Sequence, residues 1–259
     1  MGLSKPYYRI ARPKSFIPNY AVDKRYASDR LQLSRAYINI EKELRSIFNF
    51  IEPDEQNKTT FSFELYSLLL RACTEVELNC KLIMEANGAM PSSRHFTMHD
   101  YKKLEKSSLL SKYTATFSNW RMRDPNTHEL KYISKKFCPF INWGLDNPKV
   151  PDWYDAYNKV KHNREENLEK ANLENCINAV AGILIVLYSQ FGSCCIETYG
   201  TNGLYWKEMG SYDLHFDANV IFEIHPPTIS DWRESELYDF DWDSIKTLAQ
   251  PFDKYNFNL

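Results

Sequence analysis

Ten consecutive apolar residues, Ala179 to Tyr188 (AVAGILIVLY), constrain this chain more than any other stretch. The run is about half of what a helix needs to cross a bilayer, and polar Asn178 and Ser189-Gln190 flank it. It therefore predicts a helix buried on all sides inside a protein core. With Leu173, Ile177, Val180, Leu184 and Leu187 on its main stripe, that helix should run from about Ala171 to Phe191 and stop at Gly192.

A helix buried all round needs amphipathic partners, and the chain supplies three. Leu65, Leu68, Leu69, Ala72, Val76, Cys80 and Ile83 recur with a helical period, and Asn87-Gly88 offers a left-handed stop. Upstream, Tyr37, Ile40, Leu44, Ile47, Phe48 and Ile51 form a second stripe, with caps at Ser28-Asp29 and a stop at Pro53. Pro151 sits where proline favours a helix start, predicting a helix from Asp152 to about Asn163. The expected fold is mainly α: an antiparallel four-helix up-and-down bundle over residues 26–88 and 150–192.

Residues 89–149 break the pattern and predict a partly β insertion, basic and aromatic. Lys112–Phe117 and Lys131–Ser134 alternate like strands around a turn at Asp124-Pro125-Asn126, and a short helix is expected near Tyr101–Ser108. Residues 1–25, with Pro6, Pro13 and Pro18, predict an extended N-terminal arm on the surface. Residues 193–259 predict an irregular acidic C-terminal extension with a strand at Asn219–Ile224.

Net charge is only −2, but it is unevenly placed. Residues 94–150 hold eleven Lys/Arg against five Asp/Glu, or +6; residues 193–259 hold four against twelve, or −8. Such asymmetry marks either a surface for an acidic partner or two segments packed on each other. Cys73, Cys80, Cys138, Cys176, Cys194 and Cys195 lack paired C-x-x-C spacing, so reduced thiols in a cytoplasmic protein are expected. The opening Met1–Tyr8 is polar, so neither a secretory signal nor a membrane partner is expected.

The densest chemistry lies in Asn158-Lys159-Val160-Lys161-His162-Asn163-Arg164. Helical spacing projects Asn158, Lys161 and His162 from one face. An imidazole beside positive charge suits proton transfer from a ribose 2′-hydroxyl with the phosphate held nearby. It equally suits a polar helix end stabilised by the helix dipole. Arg164 lies roughly 200° around a helix from His162, so it joins that face only if the helix unwinds or a second subunit supplies it.

Arg121, Arg123, Lys135 and Lys136, with Lys159 beside the motif, are candidate nucleic-acid contacts. They stand among Tyr101, Tyr113, Trp120, Tyr132 and Phe137, which could stack on bases or form a small second core. His95, His99 and Asp100 do not make an H-E-x-x-H metal motif, and no metal or other cofactor is expected. Neither a G-x-S-x-G elbow nor a phosphate-cradling glycine loop is present.

The order of these parts resembles the HEPN-like superfamily, the higher eukaryotes and prokaryotes nucleotide-binding domain. The likeness rests on Leu68-Leu69-Leu70-Arg71-Ala72-Cys73-Thr74-Glu75-Val76-Glu77, an insertion, then Asn158-x-x-Lys161-His162-x-Arg164 and an apolar helix. It covers about 25–90 and 150–192. The resemblance implies a helical bundle, a homodimer, and metal-independent endoribonuclease activity in RNA processing, phage defence or a toxin-like system. It also admits a non-catalytic module that binds RNA, a nucleotide or a protein partner. Carried over, His162 is the catalytic histidine, Asn158 its polar helper, and Glu75 or Glu77 the acidic companion from the preceding helix. Family nucleases place an arginine shortly before the histidine; here Asp155, Ala156 and Tyr157 stand there, leaving Lys161 or Arg164 to replace it.

Overall fold

The computed structural model describes residues 2–13, 19–196 and 221–258. The protein is mainly α, with one small antiparallel sheet. Its helices and strands run α1 (Arg30–Ile47), α2 (Phe63–Ala86), α3 (Met98–Tyr101), α4 (Leu104–Ser108), β1 (Thr114–Arg123), β2 (Leu130–Phe137), α5 (Asp152–His162), α6 (Arg164–Asn167), α7 (Leu173–Phe191), β3 (Phe222–His225) and α8 (Trp242–Ile245), with short 3₁₀ turns between them.

The apolar helix α7 is the centre. By length and composition it could cross a membrane, yet 83% of that stretch is buried among other elements, as a core helix requires. Asn172 caps it by accepting from Asn175 N at 3.0 Å, and α2 is capped likewise by Ser62 on Leu65 N at 3.1 Å. Residue pairs fix the helix directions. Cys176 Sγ meets Leu65 O at 3.1 Å and Gln190 Nε2 meets Asn79 Oδ1 at 2.9 Å, so α2 and α7 run the same way. The start of α1 meets the chain just past α7: Arg30 donates to Cys194 O at 2.7 Å and Ser34 to Cys195 O at 2.6 Å. Tyr154 meets Glu77, while Arg164, just past α5, meets Phe63 and Tyr66. Thus α1 and α5 run against the α2–α7 pair.

Gly182 lies mid-helix in α7, where glycine costs about 1 kcal/mol relative to alanine. A methyl there would meet Phe140 Cζ at 3.5 Å, Trp153 Cζ2 at 3.6 Å and Val76 Cγ2 at 3.6 Å, all ordinary contacts. Gly182→Ala should therefore raise stability by about 0.5–1 kcal/mol in urea melts. A lowered midpoint would show that this packing has no slack.

The sheet has order β2-β1-β3, and its hairpin is longer than the sequence pattern implies. The physical reason is a bulge: the register shifts between Phe117 and Trp120, letting two aromatics three positions apart both face inward. Simple alternation breaks at Ser118-Asn119, which hides the outer half of β1 from a period-two reading. Phe48, Phe117, Trp120, Phe137 and Phe222 pack edge to face beneath it. The strand expected at Asn219–Ile224 is found at Phe222–His225, paired with Thr114–Phe117; Asn219 and Val220 lie outside the described residues. Part of the acidic extension therefore packs on the basic insertion, and Lys112 lies 3.9 Å from Asp231.

The N-terminal arm does not lie on the surface as expected. Arg9, Ile10, Arg12, Tyr20 and Ala21 are buried. The arm bridges to Tyr238 through Leu3 and to Asp253 through Tyr7, and the Tyr238 hydroxyl donates to Ile10 O at 2.6 Å. Arg9 reaches Asp29 and Gln190. That contact draws off the Asp29 carboxylate, so Asp29 precedes α1 without making a side-chain capping bond. None of the six cysteines forms a disulfide.

Candidate functional site

Helix α5 is amphipathic: Trp153, Tyr154, Ala156, Tyr157 and Val160 are buried, and its last turn is basic. It ends at His162 because Asn163 leaves helical geometry, with φ −145° and ψ 84°. Asn163 then starts α6, its side chain accepting from Glu166 N at 3.5 Å and its carbonyl from Asn167 Nδ2 at 2.8 Å. The unwinding that Arg164 needed to escape its own helix phase is therefore present.

Lys161, His162 and Arg164 are exposed, and Asn158 is half-buried. Lys161 Nζ donates to the Tyr157 hydroxyl at 2.9 Å, and that bond holds the ammonium pKa above its ordinary value. Among the described residues, nothing hydrogen-bonds or ion-pairs with the His162 ring. The Arg164 guanidinium lies 5.4 Å from the Phe63 ring centre and 5.6 Å from that of Tyr66. Lys159 points elsewhere, paired with Asp155 at 2.7 Å.

The two acidic companions separate cleanly. Two positions along a helix is a turn of roughly 200°, so Glu75 and Glu77 face opposite ways. Glu77 accepts from the Tyr154 hydroxyl of α5, beside Tyr157. Glu75 instead lies half-buried in a groove of about 320 Å³ between α1 and α2, lined by Ala36, Asn39, Ile40, Leu70, Arg71 and Thr74. Burial raises its carboxyl pKa there. The acid set against the His162 helix is Glu77, and Glu75 is not brought to it.

No family model, no curated protein and no solved structure matches this chain.

On the hairpin, two of the four candidate nucleic-acid contacts are held by acids. Arg121 lies 3.5 Å from Asp54 and Lys135 2.7 Å from Glu55. Lys135 also sits 4.2 Å above the Trp120 ring, and Arg123 donates to His128 O at 3.2 Å. Lys136 is exposed and makes no ion pair among the described residues. Tyr101, Tyr113, Trp120 and Phe137 are buried, so of the five aromatics only Tyr132 is open to a base. Asp100 is likewise committed, accepting from Ser92 N and Thr97 N at 3.1 and 3.0 Å, while His95 and His99 are exposed.

Lys135, then Lys58, depress the Glu55 carboxyl from its ordinary 4.5 to about 2. A carboxyl depressed in the folded state stabilises above its unfolded value and loses that contribution as pH falls through the folded one. Glu55→Gln should thus flatten the acid limb of a melting-temperature profile between pH 4.5 and 2. At neutral pH its half-exposed pairs contribute only about 0–1 kcal/mol. Identical acid limbs for variant and wild type would refute the assignment.

Sequence reasoning missed Tyr154, Tyr157, Phe63 and Tyr66 as neighbours of the motif. A signal existed: Phe63, two positions before Leu65, lies roughly 200° around the helix from the Leu65–Ile83 stripe.

Proposed function

We propose that the protein is a HEPN-like domain with metal-independent endoribonuclease activity. In this reading α1, α2, α5 and α7 form an antiparallel up-and-down bundle, supported by the opposed directions of α1 and α5 relative to α2 and α7. The observation that carries the reading is the open His162 ring, next to charged Lys161 and one residue before the break that frees Arg164.

His162 takes the proton from a ribose 2′-hydroxyl. The freed oxygen attacks the adjacent phosphorus, the 5′-oxygen leaves with a proton, and the products are a 2′,3′-cyclic phosphate and a 5′-hydroxyl. Lys161, Arg164 and Asn158 stabilise the charge on the phosphorane. Residues 161–166 are all exposed, leaving room for a second copy whose imidazole could protonate the leaving group. A cytoplasmic role in phage defence or a toxin-like system follows from the resemblance alone.

The absence of an upstream arginine favours a second reading, a non-catalytic module that binds RNA, a nucleotide or a protein partner. Incubating the protein with structured and unstructured RNA in EDTA separates the two. Cyclic-phosphate products support the nuclease; intact RNA of every class, with binding retained, supports the module.

A further inference from the structure

We infer that Phe63 and Tyr66, at the start of α2, form a stacking platform for an unpaired nucleobase of single-stranded RNA, with Arg164 and Lys161 holding its phosphate. The inference takes its substrate class from the nuclease reading and adds the element that selects an unstacked base.

Phe63 is 60% exposed and Phe61 49% exposed, two large apolar rings in water at one end of a helix whose remaining stripe is buried. Phe61 is held there by a backbone bridge to Asn172, and Ser62 caps α2 between the two rings. The Arg164 guanidinium sits against both Phe63 and Tyr66, and among the described residues it has no carboxylate partner. A planar cation laid on an aromatic ring is the arrangement that extends into a base stack while its remaining N–H groups stay open to phosphate. Three positions earlier, the charged Lys161 lies at the end of α5.

The surrounding charge limits the ligand. Glu64, Glu165 and Glu166 are exposed on the same short segments, so a long polyanion is repelled. The surface fits one unpaired base and about two phosphates. Duplex RNA, whose bases are already stacked, offers it nothing to hold.

Fluorescence anisotropy with a short labelled single-stranded RNA, 2′-fluoro at every ribose to block cleavage, tests this. Wild type should bind with a shallow salt slope, about −1.4 for two phosphates on a single strand. Phe63→Ala should weaken binding about 5- to 100-fold, and Phe63→Trp should restore it. Melting curves of both variants verify folding, which the exposed position should leave unchanged. Equal affinity for wild type and Phe63→Ala overturns the platform, as does no RNA binding by the wild type. So does an altered oligomeric state in Phe63→Ala with RNA affinity unchanged, which assigns the rings to a subunit contact. The two readings fail separately. Phe63-dependent binding of blocked RNA, with unmodified RNA left intact, removes the nuclease and keeps the platform. Cleavage by Phe63→Ala with an unchanged KM does the reverse.

Discussion

Arg12→Ala should destabilise the protein by about 3–5 kcal/mol, a large share of the roughly 5–15 kcal/mol that holds a domain folded. Arg12 is 6% exposed, and among the described residues it has no carboxylate partner. Its charge is instead held by carbonyls and ring faces. One Nη donates to Glu236 O at 2.7 Å and the other to Ser107 O at 3.0 Å. Trp232 lies 4.7 Å from the guanidinium, with Tyr7, Tyr255 and Tyr238 at 5.3, 5.8 and 5.9 Å. The side chain thereby ties the N-terminal arm, the end of α4 and the C-terminal segment into one unit. Truncation leaves the buried Ser107 carbonyl and the partly buried Glu236 carbonyl unpaired, with a void between four rings. Arg12→Lys keeps the charge but cannot reproduce a planar fork between two carbonyls, so it should fall between wild type and alanine. Urea melts of the three proteins check the order, and an alanine variant within about 1 kcal/mol of wild type would refute it.

The same residue shows why the periphery was harder to read than the core. The long helices were legible because each buries a stripe that the sequence repeats every three to four residues, and the departures at their ends are local. The arm carries no period. Its burial depends on Tyr238, Trp232 and Tyr255, more than two hundred residues away, and the sequence alone gives no rule for pairing such distant segments. The hairpin was half legible for a different reason, since one bulge at Ser118-Asn119 inverts the alternation that marks a strand. At the candidate site, the helical spacing of Lys161 and His162 could be read directly. So could the end of α5 near Asn163; what could not was the short helix α6, which starts again at once with Asn163 as its cap. Glu75 and Glu77 were interchangeable in sequence, and only the packing of Tyr154 against α2 distinguishes them.

His162→Ala should lower kcat/KM for RNA cleavage by about 10²- to 10⁴-fold, the usual contribution of a positioned acid–base group. Because the ring is exposed and, among the described residues, unbonded, the substitution should leave stability within about 0.5 kcal/mol of wild type. The contrast between these two readouts makes the test decisive, for a histidine that merely stabilised the helix end would show the opposite pattern. Tyr157→Phe adds a graded control. It removes the hydroxyl that Lys161 grips at 2.9 Å while keeping the ring that packs against Tyr154. Lys161 then loses its fixed position but not its charge, so the loss in kcat should be smaller than for His162→Ala. Cleavage that persists undiminished in His162→Ala, measured in EDTA on the same RNA, would remove this imidazole from the chemistry. The motif would then be a polar helix end.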